Sequence, residues 1–436
     1  MLALAFLPFL GFVRRLADKA IVPAGLDPLL LVGPVVAGAC GLAALLVPAH
    51  RERLTGLALV GAGLALIVLA QSANPLGGDP GGNAASLLFW GAPLAWFFAG
   101  RFVLDDDSVQ RLLTLLVHVG VIVAAYGVAQ SQVGFPSWDT AWIARTGYDA
   151  LNVGEASRSF ASFPSSAEYG LWVASALVVA VTRRGWFDTR TWPIVVGVLI
   201  LALVLSGTRG PLIFAAVALM AVCSLQAERR AWLRFGLLLV LTFGALKLAA
   251  PGLESLAART GDDLVRHQLQ GLADPTDARD STLVLHLELV VDGLRSSLQQ
   301  PWGVGTGATS PAAEPARGAA GATEVDFSNA FVSLGAVGGV LYLVFVAGSL
   351  AKTVRLHRRH VAVALPLVAV LIVNVGQWWT GGHYALSALI WATLGWLAAR
   401  TEPGAQRGRL RTDARARRRS AGSRSSSRQW RPAWLR

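Results

Sequence analysis

Apolar stretches of roughly 17–25 residues recur along this chain, the length a helix needs to cross about 30 Å of hydrocarbon. They are continuous rather than alternating. In lipid a backbone satisfies its own hydrogen bonds only as a helix or a closed barrel, so they read as membrane-spanning helices. By this length criterion about eleven spans are expected, near 27–47, 54–71, 84–100, 109–130, 166–182, 192–207, 209–225, 232–250, 329–350, 362–379 and 382–399. Composition agrees: 54% of the residues are hydrophobic and 15% charged, where a soluble domain carries about a quarter charged. The expected fold class is all-α, a polytopic transmembrane bundle of about 11–12 spans with a large extracytoplasmic loop containing short helices. Leu2–Val13 is short for a span; a twelfth helix and a helix lying in the interface are both open. Arg14, Arg15 and Lys19 follow this run rather than precede it, which is not the order of a cleaved signal peptide.

The net charge is +12, and its placement sets an orientation. Short loops carrying Arg51 and Arg53, then Arg183, Arg184 and Arg190, then Arg229, Arg230 and Arg234, then Lys352, Arg355, Arg358 and Arg359 are all basic, and they alternate with loops that are not. Basic loops stay cytoplasmic. The C-terminus is therefore expected inside, and segments 72–83, 131–165 and 251–328 outside, with Arg209 in a tight outward connection. Arg14, Arg15 and Lys19 fit this less well, because they would lie outside if residues 2–13 span. Residues 1–399 form the expected membrane domain. Residues 400–436, rich in Arg and Ser with almost no apolar content, are expected as a disordered cytoplasmic tail that touches anionic headgroups rather than nucleic acid. Cys40 and Cys223 both fall inside expected spans, so they make neither a disulfide framework nor a metal site and read as small buried hydrophobes.

Two outward segments are too long to be mere connections, and long loops in compact proteins tend to carry function. Three local signals stand out, two of them in these segments or at their ends. The first is SGTRGP, Ser206–Pro211, which sets an arginine between two apolar runs at the outer membrane surface. A charge at that depth needs an anionic partner or water. The second is Arg279 followed by residues 280–299, whose apolar spacing predicts a helix with Asp280 or Ser281 as N-cap, and then PWGVGTG, Pro301–Gly307. Arg279 and His286 are seven apart in sequence and would share one helical face about 10 Å apart, a spacing that suits one elongated ligand. The glycines of GVGTGA have the wrong spacing for a dinucleotide fingerprint and read as a tight turn. The third is DFSNAFVSLGAVGGVLYL, Asp326–Leu343, where Ser328 and Asn329 lie just outside a helix rich in small residues that permit close packing.

In this order and topology the three signals, together with RSFASFPSSAEYG at Arg158–Gly170, resemble the O-antigen ligase and Wzy-type polysaccharide polymerase family over residues 158–345. The resemblance implies a glycosyltransferase that needs no metal and no cofactor. It would act in the bacterial cytoplasmic (inner) membrane, with an undecaprenyl-diphosphate-linked oligosaccharide as donor, the lipid bilayer as platform and other polysaccharide-assembly proteins as partners. Arg209 and Arg279 match the arginines assigned to the donor diphosphate, and Arg158, Ser328 and Asn329 fall at substrate-binding positions. Ligases of this family typically have His where this chain has Ser328. A serine hydroxyl is no general base near neutral pH without an activating partner. Asp326 and His286 therefore stand first as proton acceptors, ahead of Glu324 and Glu288. Two rival readings differ in class. A transporter or flippase of lipid-linked glycans would want charges within helices and discontinuous spans lining a path. A non-catalytic envelope-assembly protein would follow from the absent histidine.

Overall fold

The computed structural model describes residues 1–21, 28–46, 55–75, 80–146, 152–153, 156–227, 230–261, 263–273, 283–310, 325–379 and 384–400. Arg279, Glu324 and His383, together with Asp280, Ser281 and the basic tail from Thr401, lie outside the described residues. Among those described, the regular structure is helical apart from one hairpin of two-residue strands, β1 (Asn152–Val153) and β2 (Ala156–Ser157).

Helices occupy the expected spans in order: α3 (Val32–Leu46), α4 (Gly56–Ser72), α5 (Pro80–Val103), α6 (Asp106–Val133), α8 (Ser166–Thr182), α9 (Trp192–Leu205), α10 (Arg209–Gln226), α11 (Ala231–Arg259), α14 (Asp326–Arg358), α15 (Ala364–Val373) and α16 (Tyr384–Ala399). Among the described residues five helices are long and apolar enough to cross a membrane unaided: α5, α6, α10, α11 and α14. The N-terminal run is also helical, as α1 (Leu2–Phe6), a tight turn and α2 (Leu10–Ile21), and it docks into the bundle through Leu4, Leu7 and Leu10. Three further helices complete the set: α7 (Ser137–Thr146), α12 (Asp263–Ala273) and α13 (Leu283–Gln299). α13 fills the helix expected over 280–299. Leu59, Leu66, Ile122, Ile200, Leu241 and Val340 are exposed on helix flanks. Apolar area on that scale is tolerated where the flank faces lipid rather than water.

Close packing comes from small residues. A Cβ on Gly100 would stand 1.9 Å from the Ala392 carbonyl oxygen, and one on Gly395 1.9 Å from that of Phe97, so α5 and α16 approach backbone to backbone. Trp379, Trp391, Phe97 and Phe345 stack and tilt against one another beneath this contact. α11 is peripheral. It packs on α10 and α12 and leaves Trp232, Leu233, Leu237, Val240, Leu241 and Leu248 exposed.

The two ends of the bundle differ in charge. At one end Arg101 and Thr55 donate to the Ala398 carbonyl at 3.1 and 2.6 Å, and Lys352 donates to that of Arg400 at 2.7 Å. These donors satisfy carbonyls that the last turn of α16 leaves open. The same end holds Arg183, which donates to the Ala362 carbonyl. The other end holds α7, α12 and α13. Arg15 also reaches it, against the charge pattern, and ion-pairs with Asp139 of α7 at 2.7 Å with both side chains buried. Tyr126 and Gln130 donate to the same carboxylate at 2.5 and 2.7 Å, and Arg15 caps the Phe163 and Ala161 carbonyls. The cation is thus neutralised locally.

Four details depart from the sequence expectation. α11 runs through Pro251 to Arg259, so the segment that follows it starts later than 251; continuing the helix is how lipid-exposed backbone keeps its hydrogen bonds. α14 is broken at Gly335 (φ 73, ψ −175). The PWGVGTG turn crosses the break: the Val304 and Gly305 amides donate to the Val332 and Ser333 carbonyls at 3.1 and 3.2 Å, and the Ala336 amide donates to that of Pro301 at 3.0 Å. α15 ends at Val373, short of the expected 379, because Asn374 leaves the helix and Gly376 turns at φ 88. Cys223 faces outward from α10 rather than into the core.

Candidate active site

SGTRGP makes the reversal between α9 and α10. Ser206 closes α9, its hydroxyl donating to the Leu203 carbonyl at 2.8 Å and lying 2.7 Å from the Thr208 hydroxyl. Gly207 adopts φ 70, which an L side chain rarely does. Thr208 is extended, Arg209 is the first residue of α10, and Pro211 sits in the first turn, where its missing N–H costs nothing. The reversal holds Arg209 half-buried at the helix N-terminus.

Two other segments meet it there. Beyond the hairpin the stem of Arg158 lies across Gly207, where an added Cβ would be 3.0 Å from Arg158 Cγ. From the far side comes α12, the first helix of the long segment between α11 and α14. Leu264, His267, Gln268 and Gly271 share one face of it, spaced by three and four residues. Leu264 packs at Gly207, Gln268 donates to the Val204 carbonyl at 3.2 Å, and Gly271 lies on the Arg209 guanidinium so closely that a Cβ would be 1.1 Å from Nη1. His267 lies at the centre. Arg209 Nη2 is 2.8 Å from its Nε2 and Arg158 Nη2 is 3.2 Å from the same atom. Three segments remote in sequence thus bring two guanidinium groups to one point at the α9–α10 reversal.

The remaining sequence candidates lie elsewhere. α13 packs on α14, with Gly293 against Ser328. The Ser328 hydroxyl is buried and donates to the Leu289 carbonyl at 2.8 Å, which pins α13 in place. Asn329 is buried in the first turn of α14, whose N-cap is Val325. The Asp326 carboxylate is buried too and accepts from the Tyr342 hydroxyl at 3.0 Å and the Trp379 amide at 2.6 Å, tying the start of α14 to the segment before α16. His286 belongs to α13. The structure therefore joins Arg158 to Arg209, and groups Asp326, Ser328 and Asn329 in one helical turn.

His267 and Gly271 escaped the sequence reading, although DLVRHQLQGLA carries the spacing of a docked helix. Glu168 escaped it as well. It is buried in the first turn of α8, with one oxygen accepting from the Ala385 amide at 3.3 Å. Gly170, two residues on, faces Thr208 and Pro211, so Glu168 leaves α8 on the side away from the arginines at about 100° per residue. With Arg14, Leu7 and Pro164 it lines a narrow crevice against the N-terminal helix.

Residues 194–347, from α9 into α14 and so including Arg209, α12, α13 and the PWGVGTG turn, match the family model described as O-antigen ligase. No curated protein and no solved structure matches the chain. Over that segment the chain is similar to the O-antigen ligase family.

Proposed function

We propose that this protein transfers or polymerises glycans delivered on undecaprenyl diphosphate, at the extracytoplasmic face and with its C-terminus in the cytoplasm. The observation that carries the reading is the convergence of Arg158 and Arg209 on one atom of His267. Breaking a sugar–phosphate bond builds negative charge on the leaving diphosphate. Forked guanidinium donors neutralise such charge, and donors fixed before the reaction do so without reorganising. Arg209 and Arg158 hold the diphosphate in this proposal, and Arg279, which precedes α13, joins them. Asn329 is assigned to the acceptor side. Ser328 acts indirectly, by fixing the helix that carries His286. His286 stands ahead of Asp326 as proton acceptor, because the Asp326 carboxylate is already held by two donors.

The break in α14 favours transport, since discontinuous helices expose carbonyls that can bind ions. Here the Val332 and Ser333 carbonyls accept amides of the crossing turn, which leaves transport second. The test is the lipid-linked material that accumulates in a deletion strain. A single repeat unit on undecaprenyl diphosphate at the outer leaflet supports polymerisation, lipid-linked polymer supports ligation, and accumulation facing inward refutes both in favour of a flippase. Complementation by Arg209→Ala at normal protein level would refute the site.

A further inference from the structure

His267 receives hydrogen bonds that only an unprotonated ring nitrogen can receive. Guanidinium groups have donors and no acceptor. With Arg209 Nη2 at 2.8 Å and Arg158 Nη2 at 3.2 Å from Nε2, that nitrogen carries no proton in this state. A proton placed on Nε2 would point an N–H at two cations.

We propose that His267 is a third ligand of the donor diphosphate and takes up a proton as the donor binds, Nε2 changing from acceptor to donor. The inference rests on the reading of Arg158 and Arg209 as the diphosphate-holding pair. The two guanidinium groups already meet at a point suited to one acceptor. An entering diphosphate oxygen is a stronger acceptor than imidazole, because it is charged, and it draws the guanidinium N–H groups to itself. Nε2 then loses its donors and gains an anion beside it, and both changes favour the protonated ring. The balance is one solvent proton taken onto Nε2 for each donor bound, with no bond to the substrate made or broken. Histidine suits the exchange because its unperturbed titration falls between about pH 5 and 8.

The elements packed on α12 carry these charged groups. Arg209 begins α10, Arg158 follows β2, and Glu254 and Arg259 lie in the outer part of α11. On α12 itself Arg266 is paired with Asp263 and so adds little net charge. α12 is the helix that can deliver this ligand, because Leu264 and Gln268 fasten it to the α9–α10 reversal on either side of His267.

The test is calorimetric titration of the full-length protein in lipid nanodiscs with undecaprenyl diphosphate carrying one N-acetylglucosamine. A diphosphate substituted at both ends does not titrate near neutrality, so any proton uptake belongs to the protein. The dissociation constant should rise about tenfold per pH unit above the transition, the slope for one linked proton. Heats in buffers of different ionisation enthalpy should report uptake of close to one proton. His267→Gln keeps an acceptor for the arginines and should bind with neither the slope nor the uptake. A pH-independent wild-type affinity overturns the proposal whatever the variants do, and so does a wild-type slope in His267→Gln. Arg209→Ala separates the two levels of argument. If it binds as the wild type does, the diphosphate reading fails. If it loses binding while His267→Gln keeps the slope, only the role of His267 fails.

Discussion

Gly271 makes the site testable without touching a charged group. A methyl there would stand 1.1 Å from Arg209 Nη1, 2.2 Å from Cζ and 2.9 Å from Nε. Nonbonded heavy atoms settle at about 3.5–4.0 Å, so the guanidinium must retreat by about 2 Å. The 2.8 Å contact with His267 then breaks. What moves is the end of a flexible side chain, so the fold should absorb the change. Alanine is also the better helix former by about 1 kcal/mol, so α12 itself is not weakened. Activity should suffer instead. A displacement of about 1 Å at a reacting centre costs on the order of a hundredfold, and the same fall in kcat/KM is expected for Gly271→Ala. The assay compares glycan transfer in membranes with matched protein levels, alongside thermal unfolding in detergent. Gly210→Ala is the control: it is the same substitution next to Arg209, and its Cβ would meet nothing within 4 Å. Undiminished activity in Gly271→Ala at unchanged stability would show that the guanidinium position does not matter, and the site assignment would fall with it.

Other expectations follow from the same geometry. Asp139→Ala strands Arg15 in a buried pocket and should cost about 3–5 kcal/mol, read as a lowered thermal midpoint, with the apolar pair Arg15→Met and Asp139→Leu recovering most of it; no recovery would mean the pair does more than hold the N-terminal helix. Gly335→Ala forces a side chain into a backbone conformation that costs about 1–3 kcal/mol and sets a Cβ 2.4 Å from the Pro301 carbonyl oxygen, so membrane-inserted protein should drop sharply, and normal expression would refute the crossing described here. Arg209→Lys should restore only part of the activity lost in Arg209→Ala, since an ammonium lacks the planar fork; full recovery would reduce Arg209 to a point charge. Trp302→Cys, at a position 75% exposed, should label from outside in intact cells, and failure to label would reverse the orientation.

Much of the bundle was legible because lipid imposes one length and one periodicity on whatever crosses it, and each apolar run has its helix. The site was legible only in part. Of the residues brought together here, Arg209 stands out in the sequence because a charge between apolar runs is conspicuous, and Arg158 because it opens a recognisable stretch. His267 sits in a short polar helix whose docking depends on contacts with Val204 and Gly207, and no local pattern states which surface such a helix will cover. The ends of α11, α14 and α15 escaped for a related reason. Pro251 is tolerated where lipid leaves the backbone no alternative, Gly335 is broken by a turn from another part of the chain, and Asn374 yields to a fold around Trp378 and Trp379.

The ion pair between Arg15 and Asp139 carries a consequence for the order of synthesis. Arg15 leaves the ribosome long before Asp139, and until α7 arrives its charge has no counterpart. At that stage the rule that keeps arginine cytoplasmic acts on it unopposed. The N-terminal helix must therefore take up its final position late, once Asp139, Tyr126 and Gln130 have emerged, or wait at the interface until they do. A nascent chain arrested ahead of α7 should hold Arg15 on the opposite side of the membrane from the finished protein.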